Sequence, residues 1–316
     1  FKQKTAYEIM PSLVGSEMCI RDRGLMGHGI AQDFATSGIP VKLWDTSEEK
    51  LTISIENIKK NMHFLGQNDL IDDVVELITP VSVFEKAVTG SELIIEVIKE
   101  DLPTKLDLFK KIEKIVTDDI ILASNTSTFI PSLFADVLRV PERMLITHYF
   151  NPPYIVPLVE VVKSDYTSQS IVNKVVDLLK FCKKTPVVLD KEIPGFVANR
   201  LQAALLRESI SLVNSGVANY QQIDQIVRNS FGRRLSFAGP FQISDAAGWD
   251  VISKIAEIVW FDLDNSKKLP KSIVDLINSG NLGVKTGVGV YDWDEKSSDD
   301  FKDMLLRGLI KINKRI

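Results

Sequence analysis

Cysteine, histidine and basic charge are all scarce in this chain. The two cysteines among 316 residues, Cys19 and Cys182, make no CxxC pair and no disulfide framework, the pattern of a reduced compartment such as the cytoplasm. Three histidines are too few for a multi-histidine cage, so no metal site is expected. Lys and Arg number 38 against 42 Asp and Glu, a net charge of −4, and no basic block runs beyond a few residues. Neither a nucleic acid nor an anionic membrane surface is therefore an expected partner. No apolar run approaches the roughly 18 residues of a membrane helix. What is present, 45% hydrophobic and 25% charged residues, is ordinary for a globular protein. The length suggests two domains, and a small molecule is left as the partner class.

The two halves differ in texture. From about 24 to 190, short apolar runs (Val41–Trp44, Leu93–Val97, Ile120–Ala123, Met144–Thr147, Leu158–Val162 and Val187–Leu189) alternate with amphipathic stretches such as Leu102–Val116. That alternation predicts a mostly parallel sheet with helices on both faces. After Pro194-Gly195 the pattern reads as helices over 195–231, 249–264 and 270–279, with a strand only at Val288–Tyr291.

Gly24-Leu25-Met26-Gly27-His28-Gly29 opens an amphipathic helix that leads through Gly38 to the run ending at Trp44-Asp45. Glycines at such a βα turn let the backbone approach a pyrophosphate, and the helix N-terminus supplies N–H donors. Asp45 stands 21 residues after Gly24, where an acidic side chain takes both ribose hydroxyls and favours NAD over NADP. The first glycine of the usual GxGxxG is missing: Asp22 holds its place. Upstream, PSLVGSEMCIRDR at Pro11–Arg23 carries charge where a buried strand belongs and looks like translated sequencing-adapter read-through. Residues 1–23 are accordingly set aside as an artefactual N-terminus. Met18-Cys19-Ile20 is left as a poor substitute strand. His28 and His63 read as structural.

Five further motifs follow in order: Ile95-Glu96-Val97-Ile98-Lys99-Glu100 with Lys105; Ser124-Asn125-Thr126-Ser127-Thr128; His148-Tyr149-Phe150-Asn151-Pro152-Pro153 with Leu158–Val162; Pro194-Gly195-Phe196-Val197-Ala198-Asn199-Arg200; and Gly283–Tyr291. With these the chain resembles the 3-hydroxyacyl-CoA dehydrogenase family, over about Gly24 to Trp293. The resemblance implies an α/β, Rossmann-type doubly wound NAD-binding domain over 24–191. An all-α substrate and dimerisation domain over 192–316 follows it, and the family acts in fatty acid metabolism. It implies Gly24, Leu25, Met26, Gly27, Asp45, Glu100, Lys105, Asn151 and Lys285 as cofactor contacts. His148 is then the base, Glu160 its partner, and Ser127 and Asn199 the groups that hold the substrate oxygen.

The chemistry suits those residue types. Oxidising a secondary alcohol needs a base for the hydroxyl proton while hydride leaves the same carbon, and an imidazole titrates near working pH. A carboxylate on the imidazole fixes its tautomer and stabilises the imidazolium. Blander readings stand beside each. His148 could be a turn histidine, Ser127 a helix cap and Asn199 an ordinary polar residue near a helix start. Glu160 resists such a reading, since an unpaired carboxylate inside an apolar strand is costly.

The substrate stays open. Lys59 and Lys60 are the only lysines in the stretch to Asn68, and Asp69, Asp72 and Asp73 follow, which is poor for holding CoA. Asn151-Pro152-Pro153-Tyr154 resembles the branch with L-gulonate 3-dehydrogenase (lambda-crystallin) and L-carnitine dehydrogenase, whereas Gly283–Tyr291 resembles hydroxybutyryl-CoA enzymes. An L-3-hydroxyacyl-CoA leads a free small 3-hydroxy acid. A non-catalytic nucleotide-binding protein on the same fold is the alternative class.

Overall fold

The computed structural model describes residues 17–22 and 26–313. The chain divides into two compact units, one ending at Val197 and the other beginning at Ala198.

The first unit is built on one sheet. Its strands are β1 (Glu17–Asp22), β2 (Val41–Trp44), β3 (Ile78–Val81), β4 (Ser91–Val97), β5 (Ile121–Ser124), β6 (Met144–Tyr149), β7 (Leu158–Val162) and β8 (Thr185–Leu189), in the spatial order β3-β2-β1-β4-β5-β6-β7-β8. Every neighbouring pair is parallel except β6–β7. The crossovers carry α1 (Gly27–Thr36), α2 (Glu48–Phe64), α3 (Ile71–Glu76), α4 (Phe84–Val88), α5 (Leu102–Ile112) and α6 (Gln169–Phe181). Strand order reverses between β1 and β4, the switch point at which such sheets bind ligands.

Two cores explain why the strands read as continuous apolar runs. One contains Met18, Ile20, Phe34, Leu93, Ile95, Leu145 and Val175; the other contains Ile94, Phe109, Phe134, Met144, Ile146 and Val162. Successive residues of β4 and β6 thus go to opposite faces, and both faces are covered.

Three strands depart from expectation. Met18-Cys19-Ile20, expected only as a poor substitute strand, lies within Glu17–Asp22. That segment is β1, in register with β2 and β4, and Met18 and Ile20 are fully buried. Two apolar residues on one face suffice to fill the central slot, as the substitute-strand reading allowed. β3 went unrecognised because Pro80 breaks its pattern, which an edge strand tolerates. The strand expected at Val288–Tyr291 is a compact turn with isolated bridges Gly283–Val288 and Val288–Asp292. Its glycines take positive φ at Gly283 (76°) and Gly287 (79°), folding the chain back too soon for a ladder.

The second unit is helical: α7 (Ala198–Asn214), α8 (Tyr220–Asn229), α9 (Phe231–Leu235), α10 (Pro240–Ala247), α11 (Trp249–Val259), α12 (Lys271–Asn278) and α13 (Glu295–Asn313). The pattern over 195–231 breaks at Gly216, whose φ is 75°. Asn219 and Gln222 form a reciprocal capping box that starts α8. No helix among the described residues is long and apolar enough to cross a membrane.

Within the first unit, α1 is pinned to the segment between β6 and β7. A Cβ on Gly29 would lie 2.6 Å from Pro153 Cγ. Lys184 Nζ pairs with Asp33 Oδ2 at 2.5 Å and donates to the carbonyls of Pro153 and Val156, the latter at 3.3 Å. Burial pushes the Asp33 carboxyl up to about 7 against the opposing charge and hydrogen bond of Lys184, and burial also pushes the nearby Cys182 thiol up to about 12.

Two outcomes follow. Gly29→Ala gains helix propensity of ~1 kcal/mol but overpacks Pro153, which Lys184 keeps from retreating, so a net loss of ~1 kcal/mol or more is expected. A melting temperature at or above wild type would contradict this. Asp33 holds its proton more tightly folded than unfolded. Its contribution is therefore full below about pH 4 and lost as pH rises through about 7. Asp33→Asn should flatten the dependence of melting temperature on pH across that window, and an unchanged slope would count against it.

Candidate functional site

His148 lies in β6 and Glu160 in β7, and the antiparallel register sets them directly opposite. Both are nearly enclosed, with side chains 5% and 3% exposed, and His148 Nδ1 lies 2.9 Å from Glu160 Oε2. The other carboxylate oxygen, Oε1, accepts the Val197 N–H at 3.0 Å. With a carboxylate on Nδ1, that nitrogen carries the proton and Nε2 is the acceptor. The ring is walled by Phe150 and Phe196, at centroid distances of 4.6 and 5.4 Å.

A second buried network shapes the loop after β5. Glu96 is fully enclosed in β4 and accepts Lys105 Nζ at 2.8 and 3.0 Å and Ser124 Oγ at 2.5 Å. Lys105 also donates to Ile98 O at 3.2 Å and lies 3.4 Å from Glu100 Oε2. Glu100 Oε1 gathers the Thr126 and Thr128 hydroxyls at 2.5 and 2.7 Å and the N–H groups of Ser127 and Thr128 at 3.0 Å each. Burial raises the Glu100 carboxyl, but the Thr126 and Thr128 hydrogen bonds, the Lys105 charge and the Ser127 N–H outweigh it. The net result lies below the ordinary carboxylate value. Glu100 thus folds the loop that presents Ser127. Asn125 ties the same loop to β6 by accepting the Tyr149 N–H at 2.8 Å.

The first unit therefore places Ser127 in the loop just past β5 and His148 near the carboxyl end of the neighbouring β6, opposite Glu160 on β7, with Asn151 exposed just beyond β6. Lys105 is placed differently from the expectation that it faces the cofactor: its ammonium is enclosed by Glu96, Ile98 O and Glu100, with 1% of the side chain exposed. Asn199 stands half-buried in the first turn of α7, and Lys285 is exposed in the Gly283–Val288 turn, both within the second unit. Gly24 and Leu25 lie outside the described residues.

The remaining cofactor residues suit a dinucleotide. Met26, the N-cap of α1, provides no side-chain acceptor, and no acidic residue occupies the first turn, so the leading N–H groups and helix dipole suit an anion. Gly27 is buried at the start of α1. Asp45 is buried just past β2, its Oδ1 accepting the Ser47 N–H at 2.9 Å, which aims the carboxylate at the strand end.

Sequence reading missed Glu96, Asn125, Phe196 and Val197 as contributors. Glu96 carried the same signal as Glu160, a carboxylate within an apolar strand. The Val197 contact is made by backbone and leaves no trace in side-chain identity.

Residues 20–193 match the 3-hydroxyacyl-CoA dehydrogenase NAD-binding domain, and residues 195–293 match the C-terminal domain of the same family. The lambda-crystallin homolog of Rattus norvegicus is 34% identical over 239 residues, 74% of this chain and 75% of that protein. The probable 3-hydroxybutyryl-CoA dehydrogenase of Bacillus subtilis is 30% identical over 89% of this chain and 99% of its own length. Among solved structures, a 5-formyl-3-hydroxy-2-methylpyridine 4-carboxylic acid 5-dehydrogenase described as an NAD+ dependent dismutase superposes with a TM-score of 0.86, at 26% identity, covering 95% of this chain and 97% of its own. With both halves matched in order, the chain belongs to the 3-hydroxyacyl-CoA dehydrogenase family and is an NAD-dependent oxidoreductase.

Proposed function

We propose that the protein oxidises the L-3-hydroxy group of a 3-hydroxyacyl-CoA to the 3-oxo form, with His148 as the base. The observation that carries this reading is the enclosed His148–Glu160 hydrogen bond of 2.9 Å, with Glu160 held again by Val197 N–H. Bound NAD supplies the hydride acceptor. Nε2 takes the substrate hydroxyl proton, and Glu160 keeps Nδ1 protonated and stabilises the imidazolium. Phe150 and Phe196 exclude water from the ring. Ser127 orients the substrate oxygen, a role that Asn199 shares by resemblance, and the Glu96–Lys105–Glu100 network acts indirectly by setting the Ser127 loop. Met26, Gly27, Asp45 and Asn151 hold the dinucleotide, as Gly24, Leu25 and Lys285 do by resemblance. A non-catalytic protein would have no physical reason to keep a base and its orienting carboxylate buried together.

A free small 3-hydroxy acid is the second reading. Lys59, a candidate for the CoA phosphates, is paired with Glu56 at 3.1 Å on α2. The Pro152-Pro153-Tyr154 segment packs on α1 through Gly29, in keeping with the likeness to lambda-crystallin.

The working form is a homodimer. In the second unit Phe261, Ile258, Phe241 and Trp260 are 93, 77, 77 and 71% exposed, more apolar surface than a lone soluble unit normally leaves to water. Cover by a second copy accords with the family resemblance. The free, buried thiol of Cys182 accords with a reduced compartment such as the cytoplasm.

His148→Ala should lower kcat by ~10²–10⁴ while NADH binding stays near wild type. A loss below about fivefold would remove His148 as the base. Offered L-3-hydroxybutyryl-CoA, L-gulonate and L-carnitine at matched concentration, the enzyme should form NADH with the CoA ester. Turnover of a free acid alone would replace the first reading by the second.

A further inference from the structure

The turn that ends the first unit meets the Ser127 loop, the His148 ring and the Glu160 carboxylate. Phe196 N–H donates to Ile193 O at 3.0 Å, closing a four-residue turn with Pro194 and Gly195 at its centre. Gly195 has φ of 75°, as a turn of this sequence requires, and its N–H reaches Thr128 O, next to Ser127, at 3.4 Å. The residue after the turn is the unusual one. Phe196 also takes positive φ, 51°, a conformation that a bulky side chain avoids unless its surroundings impose it.

Core filling does not account for this. A phenylalanine needed only for volume could sit in extended backbone, as its neighbours in the same core do on the strands. Phe196 is completely buried, and its ring lies 5.4 Å from the His148 imidazole at an angle of 58°. The next N–H, that of Val197, is the one that meets Glu160 Oε1 at 3.0 Å. A side chain and a backbone donor on successive residues thus converge on the two partners of one hydrogen bond. Positive φ is what reverses the chain enough for both to do so.

We infer that Phe196 is a positioning residue for the His148–Glu160 pair: its left-handed backbone sets the ring against the imidazole and aims the Val197 N–H at the carboxylate. This rests on the reading of His148 as the base. The ring and that of Phe150 both stand against the imidazole and limit its rotation. The N–H holds the carboxylate so that Oε2 stays on Nδ1. Alignment errors of this kind act on the rate of the chemical step more than on binding.

Two variants separate positioning from packing. Phe196→Gly removes the ring and accepts the positive φ without strain, and Phe196→Leu keeps apolar volume without the flat face. Each should lower kcat about tenfold, with the Kd for NADH within about twofold of wild type. In a His148→Ala background the same changes should alter the residual rate by less than about twofold, because residues that act as a unit are non-additive. Equal proportional losses in both backgrounds, or wild-type kcat in both variants, would overturn the proposal. The imidazole ¹⁵N spectrum of the full-length enzyme supplies a readout independent of turnover. Phe196→Leu should displace the His148 Nδ1 resonance, and an unchanged spectrum would refute positioning. A displaced resonance combined with an active His148→Ala enzyme would instead refute the base and leave the positioning intact.

Discussion

A carboxylate enclosed within a β-strand must find donors, because an unpaired buried charge costs more than a small domain can offset. Among the donors that meet that demand for Glu160 are the His148 imidazole and the Val197 N–H. β6 and β7 run antiparallel in an otherwise parallel sheet, so a residue near the end of one strand faces a residue in the middle of the other. The departure from parallel pairing places His148 at the carboxyl edge with its partner directly across the ladder. The turn through Phe196 then closes the arrangement from the side.

Glu96 states the same constraint a second time. Its donors are Lys105, Ser124 and the Ile98 N–H, and through Lys105 the charge is passed on to Glu100. Glu100 in turn gathers four donors from the loop that carries Ser127. Two buried carboxylates of the sheet thus organise two loops, one carrying Ser127 and the other Phe196. Rigid polar networks of this kind hold reacting groups to the tolerance that proton transfer requires. On the other core face, the Asp33–Lys184 pair fastens α1 to the Pro153 segment, so that helix and the loop bearing Asn151 form one body.

Much of this was legible from residue types. Alternating apolar runs and helical patterns implied the doubly wound sheet, and glycines before α1 with Asp45 after β2 implied a dinucleotide. Glu160 stood out because a carboxylate is a poor fit to an apolar strand unless paired, whereas His148 stood out only through the family resemblance. Other features were not legible. β1 reads only as a poor strand in sequence, because charged residues surround Met18 and Ile20. β3 was lost to Pro80, which only an edge position excuses. Lys105 read as a cofactor contact, yet it is sealed beneath Glu100, since sequence order says which residues are near the site and not which of them faces it.

By itself the sequence determined the fold class and the dinucleotide chemistry, because these depend on local periodicity and on side chains with few chemical uses, while the proposed roles of His148 and Glu160 came from the family resemblance. Only the tertiary structure decided the register that opposes His148 to Glu160, the burial of Lys105 and the approach of Val197 N–H to the carboxylate. Those contacts join residues 9 to 37 positions apart through strand pairing and backbone direction. Backbone donors carry no side-chain signature, and φ at Phe196 is imposed by the packing around it rather than by its own preference.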